Sequence, residues 1–195
     1  MVEGRGEVQA VPSLCLRIRD YLQAWTWLVD QEPVRQPRSM LVDERPRSPN
    51  RPPRTEGLTR AVELAVRRPA DAVLVLCDAD DDCLAAWGPE AKKLVSRRVA
   101  GAAVMAVREF EAWLLASHLG AGVLEGRKIE AIRDAKGRLG KLVGGYTPTV
   151  HQRKLTERMD LGVVRLYSDS FDKLVRSLAE LFEVPCPPRP PPPRS

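Results

Sequence analysis

The residues best suited to chemistry lie in the stretch LVLCDADDDC, residues 74–83. An apolar run long enough for one buried strand ends at Asp78, and four aspartates stand within the five positions 78–82. Like charges this close raise one another's pKa unless a cation or a set of strong donors lies among them. The pattern therefore indicates a strand end that holds a cation or a donor set.

Several classes of protein carry acidic residues directly after a strand, and the spacing of these residues distinguishes the classes. An EF-hand calcium loop counted from Asp78 would need Gly and Glu where the chain has Cys83 and Pro89, so that class is excluded. A haloacid-dehalogenase phosphatase would use Asp78 and Asp80, but that motif usually opens the chain and continues with Gly-Thr. A nucleotide-sugar glycosyltransferase, which holds a metal and a diphosphate with Asp-x-Asp, stays a competitor.

A third carboxylate near the amino terminus decides between these classes. In MVEGRGEVQAVP, Glu3 and Gly4 lie at the junction between a predicted strand and a predicted helix that starts near Glu7. Carboxyl ends of neighbouring parallel strands meet at one edge of a sheet, where open α/β sheets bind ligands. We therefore expect Glu3, Asp78 and Asp80 to lie together at that edge, close enough to share one divalent ion.

Periodicity predicts an α/β chain in which strands alternate with helices. Apolar runs at 72–77 and 102–107 suit strands covered on both faces of a parallel sheet. The remaining predicted elements are a strand at 25–29, loops at 46–54 and 143–152, and helices at 7–22, 57–68, 89–98, 109–119, 125–142 and 170–182. Trp113, Phe171 and Leu174 are predicted core residues.

Length and composition suit one soluble domain. At 195 residues, with 44% hydrophobic and 29% charged residues, the chain fits a single core. We assign residues 1–183 to one domain with a Pro/Arg-rich loop at 45–55, and residues 184–195 to a disordered or polyproline II tail. The net charge of +5 favours an anionic partner only mildly.

The cysteines and histidines argue against disulfides and zinc. The four cysteines form no C-x-x-C pair, and no signal peptide precedes them, which predicts reduced thiols and a cytoplasmic protein. His118 and His151 are isolated, so neither has a partner at zinc-ligand spacing. Nothing approaches the roughly 18 apolar residues of a membrane span.

Five motifs together resemble a known family. VEGRGEVQAVP followed by LVLCDADDD is similar to the Toprim pattern of primases, type IA and II topoisomerases and overcoming-lysogenization-defect nucleases. With REFEAWLLAS, KLTERMDL and SDSFDKLVRSL added, the chain resembles the uncharacterised prokaryotic family called domain of unknown function 4276. The resemblance runs over nearly the whole chain up to the proline-rich tail.

The resemblance implies a Toprim-like, Rossmann-like fold with a mostly parallel sheet flanked by helices, and a Mg²⁺ or Mn²⁺ site. Glu3 matches the family glutamate, and Asp78 and Asp80 match the Asp-x-Asp pair. Mg²⁺ takes oxygen ligands and neutralises charge in phosphoryl transfer, while a nearby carboxylate, here Glu3, orients or deprotonates the attacking water.

The function expected from this resemblance is a Mg²⁺-dependent phosphodiesterase. Its substrate would be DNA or RNA, its setting host defence, and an ATPase its partner by family analogy. The alternative is a non-catalytic Toprim-like binding or regulatory subunit of an ATPase-containing complex. A metal-dependent glycosyltransferase is the third hypothesis.

Further acids and bases surround the predicted centre. Glu109 and Glu111 cannot face the same way at i and i+2 on a helix start, so at least one is structural; acids at helix starts also complement the macrodipole. The candidates for a second metal site are Glu7, Asp82, Glu109 and Glu111, and the candidates for phosphate contact are Arg108 and Lys154.

The predicted first strand, which precedes Glu3, is short. Only Met1 and Val2 precede Glu3, whereas the resembling families have a full apolar strand there. A missing internal strand would leave neighbouring strand edges unpaired. We expect the start codon to lie upstream and a version extended by several residues to melt at a higher temperature; equal melting temperatures would contradict this.

Overall fold

The centre of the fold is a parallel pair of strands, β1 (Ala72–Asp78) and β2 (Ala100–Ala106). The strands pair in register, with Ala72 opposite Ala100 and Asp78 opposite Ala106. The structure is a computed structural model that describes residues 1–42, 55–80, 82, 84–120 and 129–191.

Both faces of this pair are buried, as the continuous apolar runs predicted. Leu76 and Val104 point into one hydrophobic core, and Val75, Cys77 and Met105 point into a second core on the opposite face. Successive side chains of a strand point to opposite faces, so a strand buried on both sides needs apolar residues at every position.

Helices supply the two covering layers. One layer contains α3 and α4, and α4 joins β1 to β2; the other contains α1, α5 and α9. The helices are α1 (Glu7–Tyr21), α2 (Arg38–Leu41), α3 (Glu56–Ala65), α4 (Leu84–Ser96), α5 (Glu111–Leu119), α6 (Ala135–Leu142), α7 (Arg153–Glu157), α8 (Leu161–Tyr167) and α9 (Asp169–Leu181).

The last helix packs on the sheet as its sequence pattern predicted. The side chain of Ser168 caps α9 by accepting a hydrogen bond from the amide of Phe171 (3.0 Å). Phe171, Leu174 and Val175 are fully buried, so the apolar face of α9 lies in the core that also covers β2.

The amino terminus runs beside β1. The amide of Leu76 donates to the Met1 carbonyl (3.0 Å), and the Met1 nitrogen donates to the Leu74 carbonyl (2.6 Å). On its other side, Val2 forms a parallel bridge with Arg35. Extended backbone therefore lies next to β1 and leads directly into Glu3.

The predicted strand at 25–29 is wrong. The Trp27 indole donates to the Phe182 carbonyl (3.0 Å), with ring centroids 5.4 Å apart, and the Trp27 amide bonds locally to Ala24. Leu28 is 90% exposed. The aromatic and β-branched residues that favour a strand have no ladder partner here, so side-chain packing decides the conformation.

The region 125–152 also differs from the prediction. The part of the predicted helix 125–142 that is described consists of a 3-10 turn (Ile129–Ala131) and α6, separated by Asp134 in a left-handed conformation (φ 58°). The predicted loop 143–152 contains a π-helical turn, Pro148–Gln152, which continues into α7. The helix predicted near 89–98 is α4, which spans Leu84–Ser96.

Some predictions fall outside the described residues: the loop 46–54, residues 125–128 of the predicted helix 125–142, and the end of the tail at 192–195. The nearer part of the tail, up to residue 191, has no regular secondary structure. It is held by Arg165, which donates to the Pro187 carbonyl (3.1 Å), and by Arg189, which donates to Asp169 (2.6 Å).

The chain therefore has the predicted α/β class, with a two-stranded parallel sheet flanked by helices. The finer Toprim-like assignment stays a prediction. In the described ranges, no helix combines the length and the apolar character needed to cross a membrane.

The packing of aromatic side chains in the core can be tested by mutation. Trp113 is fully buried, lies 5.2 Å from the ring centroids of both Phe110 and Phe171, and donates to the Ser170 hydroxyl (3.0 Å). We expect Trp113→Ala to lower the free energy of unfolding by about 3–5 kcal/mol in chemical denaturation, because it leaves a cavity. Trp25→Ala is the control, since Trp25 is 64% exposed; equal losses in both variants would contradict this packing.

Candidate functional site

Three extended segments end at the same edge of the sheet. Met1–Val2 leads into Glu3, β1 ends at Asp78, and β2 ends at Ala106 just before α5 begins. Because these segments run parallel, their carboxyl ends meet. The candidate site is this carboxyl edge.

Glu7 is the first of three neighbouring acids at the edge. Its side chain, only 5% exposed, accepts hydrogen bonds from the backbone amides of Glu3 (3.0 Å) and Gly4 (3.2 Å). Glu7 thus closes the turn between the amino-terminal segment and α1, since it satisfies two amides ahead of the helix. Gly6 allows a close approach in this turn, because a Cβ there would lie 2.7 Å from Pro148 Cβ and 3.0 Å from the Pro148 carbonyl carbon.

Asp78, which is half-buried, and Glu111 complete this set of three acids. Asp78 Oδ1 accepts from the amide of Phe110 (2.7 Å), which ties the end of β1 to the start of α5. Glu111, 6% exposed, accepts from the Tyr146 hydroxyl (3.0 Å). We call Glu7, Asp78 and Glu111 the inner acids.

The inner acids hold protons more tightly than ordinary carboxylates. Burial, opposed by the two amide bonds, raises the pKa of Glu7 to about 7. Burial also raises the pKa of Asp78 well above its usual range, with further contributions from Glu7 and Glu111. Burial likewise raises the pKa of Glu111. These side chains repel one another, so protons or a cation must compensate their charge.

A second group of acids surrounds Arg38, whose side chain is 16% exposed. Arg38 Nη1 lies 3.4 Å from Glu3 Oε2, Nε lies 3.4 Å from Asp80 Oδ2, and Nη2 pairs with Asp82 Oδ2. We call Glu3, Asp80 and Asp82 the outer acids. Burial raises the pKa of Glu3, and Arg38 opposes that rise.

The loops that leave β1 and β2 each contain a residue in left-handed backbone. Asp80 has φ 47° and Arg108 has φ 63°, and the Asp80 amide donates to the Arg108 carbonyl (2.8 Å). Aspartate tolerates this conformation better than arginine does. The bond locks together the two segments that leave the ends of β1 and β2.

The remaining predicted residues take other positions. Glu109 accepts a hydrogen bond from the amide of Lys136 (2.8 Å) at the start of α6. Arg108 contributes its carbonyl to the site, and its side chain is partly buried. Lys154 is exposed on α7.

Two residues of the site were missed by the sequence analysis. Arg38 stands among many arginines, and no spacing singles it out. Tyr146 lies in a Gly- and Thr-rich stretch that was interpreted only as a loop, while the structure places its hydroxyl on Glu111. Arginine enrichment near the acids is the only signal that could have indicated Arg38.

The types of ligand atom at the edge match those that a divalent cation prefers, because carboxylate oxygens are hard ligands. The arrangement matches less well. Within the described ranges, no three acidic, histidine or cysteine side chains are grouped so that they could hold a metal ion. Arg38 lies among the outer acids, where such an ion would need their oxygens.

No family model, curated protein or solved structure matches this chain. The relation to the Toprim pattern and to domain of unknown function 4276 therefore rests on the sequence motifs alone.

The raised pKa of Glu7 predicts a pH-dependent stability. In the absence of added metal, the free energy of unfolding should lose a contribution as pH rises from about 4.5, the unfolded value, to about 7, the folded one, because the folded state holds the proton more tightly. Glu7→Gln keeps an oxygen for the two amides and carries no charge. We expect this variant to be more stable than wild type at pH 8, by about 2–3 kcal/mol.

Denaturation at pH 4.5, 6, 7 and 8 measures the difference between the variant and wild type. The difference should approach zero at pH 4.5 and grow through neutrality. Glu90→Gln serves as the control, because Glu90 is exposed on α4. A constant difference across this range would mean that Glu7 is already ionised in the folded protein at low pH.

Proposed function

We propose that the carboxyl edge of this sheet serves a Mg²⁺- or Mn²⁺-dependent phosphodiesterase activity on nucleic acid. The observation that supports this most is that Glu7, Asp78 and Glu111 lie at the same edge and that burial raises the pKa of each, with Glu7 and Glu111 adding to the rise at Asp78. Such a cluster is costly unless it is protonated or binds a cation. Perturbed carboxylates of this kind gather at functional sites.

The location of the cluster adds support. It lies at the carboxyl edge of parallel strands, the usual ligand position in open α/β sheets. The net charge of +5 on the chain is compatible with a polyanionic substrate. A divalent ion would supply charge neutralisation for the transferred phosphoryl group.

Hydrogen bonds within the chain would fix the positions of the inner acids. Asp78 is fixed by the Phe110 amide, Glu7 by the turn at Glu3, and Glu111 by the Tyr146 hydroxyl. Each inner acid is thus oriented by a separate element. Because the pKa of Glu7 lies near neutrality, this residue can take up or release a proton when the charge of the site changes.

A second candidate function is a binding or regulatory role without turnover. The contact of Arg38 with all three outer acids favours it, because this ion-pair network satisfies part of the acidic edge without a metal. A protein of this kind would bind nucleic acid or a partner, such as the ATPase implied by the family resemblance, and would not cleave.

Cleavage assays separate the two functions. Labelled single- and double-stranded DNA and RNA are incubated with the protein and Mg²⁺, Mn²⁺ or EDTA. We expect metal-dependent cleavage that falls about 100-fold or more in Asp78→Asn and in Glu3→Gln, since these changes keep side-chain size and remove the charge. Glu90→Gln, at an exposed position of α4, should cleave as wild type does.

Two results would contradict the phosphodiesterase. The first is cleavage that survives Asp78→Asn, which would indicate a contaminating nuclease. The second is tight nucleic-acid binding with no cleavage under any metal, which would support the binding role.

A further inference from the structure

A proline-rich segment follows α9, and its composition restricts its backbone. Every residue at 184–191 is a proline or directly precedes one, and the segment has no regular secondary structure. Proline fixes its own φ at about −65° and pushes the residue before it into extended conformation. Residues 184–191, which we call the proline segment, are therefore confined to polyproline II conformation, a helix with three residues per turn and no internal hydrogen bonds.

Exposure along the proline segment repeats every third residue, which is the period of that helix. The exposed prolines are Pro185, Pro188 and Pro191. The residues one position earlier are partly buried, namely Val184, Pro187 and Pro190, and Val184 packs against the core that contains α9. One face of the segment therefore lies on the body of the protein, and the opposite face is open to solvent. We call the three exposed prolines the proline ridge.

Two arginines hold the proline segment on the body. Arg165, which is 1% exposed, donates to the Pro187 carbonyl (3.1 Å). Arg189 donates to the carbonyls of Arg165 (2.6 Å) and Leu166 (2.9 Å) in the last turn of α8, where a positive charge is favourable. The segment is thus anchored on both sides of Pro188, so the body determines which prolines face outward.

We propose that the proline ridge binds a protein domain whose groove is lined by aromatic side chains. Such grooves recognise prolines that recur at every third position of a polyproline II helix, and the ridge presents three of them at this spacing. The ridge uses neither the inner nor the outer acids, so this interaction goes beyond the proposed function and does not depend on it.

The chemistry of the segment favours this partner over one that adds the segment to a sheet. Proline has no backbone N–H, so a stretch this rich in proline cannot form the ladder that a strand partner needs. Recognition then comes from apolar contact with the rings. Because the segment is stiff and already anchored, little conformational freedom is lost when it binds, which favours affinity.

The first experiment titrates the whole protein with purified SH3, WW and EVH1 domains, which have grooves of this kind. We expect at least one domain to bind wild type in calorimetry, and to bind Pro188→Ala about tenfold more weakly. Pro187→Ala is the matched control, because it also removes one proline and keeps the carbonyl that Arg165 contacts. This control should bind nearly as tightly as wild type.

The second experiment compares the whole protein with a synthetic peptide of residues 184–191, under reducing conditions. We expect the protein to bind the same domain several-fold more tightly than the peptide does, because the body holds the segment in place. Arg189→Gln keeps every proline and loses the contacts to α8, so it should bind about as weakly as the peptide. The comparison of wild type with the peptide does not depend on any variant.

Three results would overturn the proposal. The first is the absence of binding by every domain of the three classes. The second is an equal loss of affinity in Pro188→Ala and Pro187→Ala, which would mean that composition is recognised and the exposed face is not. The third is equal affinity of the peptide and the whole protein, which would mean that the segment is not presented by the body.

Discussion

Repulsion between carboxylates at one edge of the sheet is the constraint on which the site depends. Parallel pairing brings Asp78 beside Glu3, and the turns into α1 and α5 add Glu7 and Glu111. The chain compensates this charge in two ways. Burial raises the pKa of each inner acid, whereas the outer acids face Arg38. The two groups differ in burial at their extremes, since Glu7 and Glu111 are nearly inaccessible to water and the Asp80 side chain is 64% exposed.

The same carboxylates also build the fold around them. Asp78 fixes the start of α5 through the Phe110 amide, and Glu7 fixes the turn before α1. At this edge, the candidate functional side chains are therefore also structural hydrogen-bond partners. An isosteric amide at either position preserves much of the hydrogen bonding while it removes charge, so amide variants report on electrostatics and alanine variants report on both.

The sequence predicted the elements with strong periodicity and missed those fixed by packing. Apolar runs and their spacing predicted β1, which ends at Asp78, β2, which ends at Ala106, and α9, which contains Phe171. The strand expected around Trp27 failed because its indole packs on Phe182 instead of a sheet. Arg38 could not be foreseen, because its importance comes from three contacts that are 35, 42 and 44 residues away along the chain.

An internal cation relieves part of the repulsion at this edge. Carboxylates that are brought together by a fold need a positive charge or protons beside them. Here Arg38 pairs with Glu3, Asp80 and Asp82, so the chain itself supplies that charge. Because these three acids lie 35, 42 and 44 residues from Arg38 along the chain, the pairing also ties α2 to the amino-terminal segment and to the end of β1.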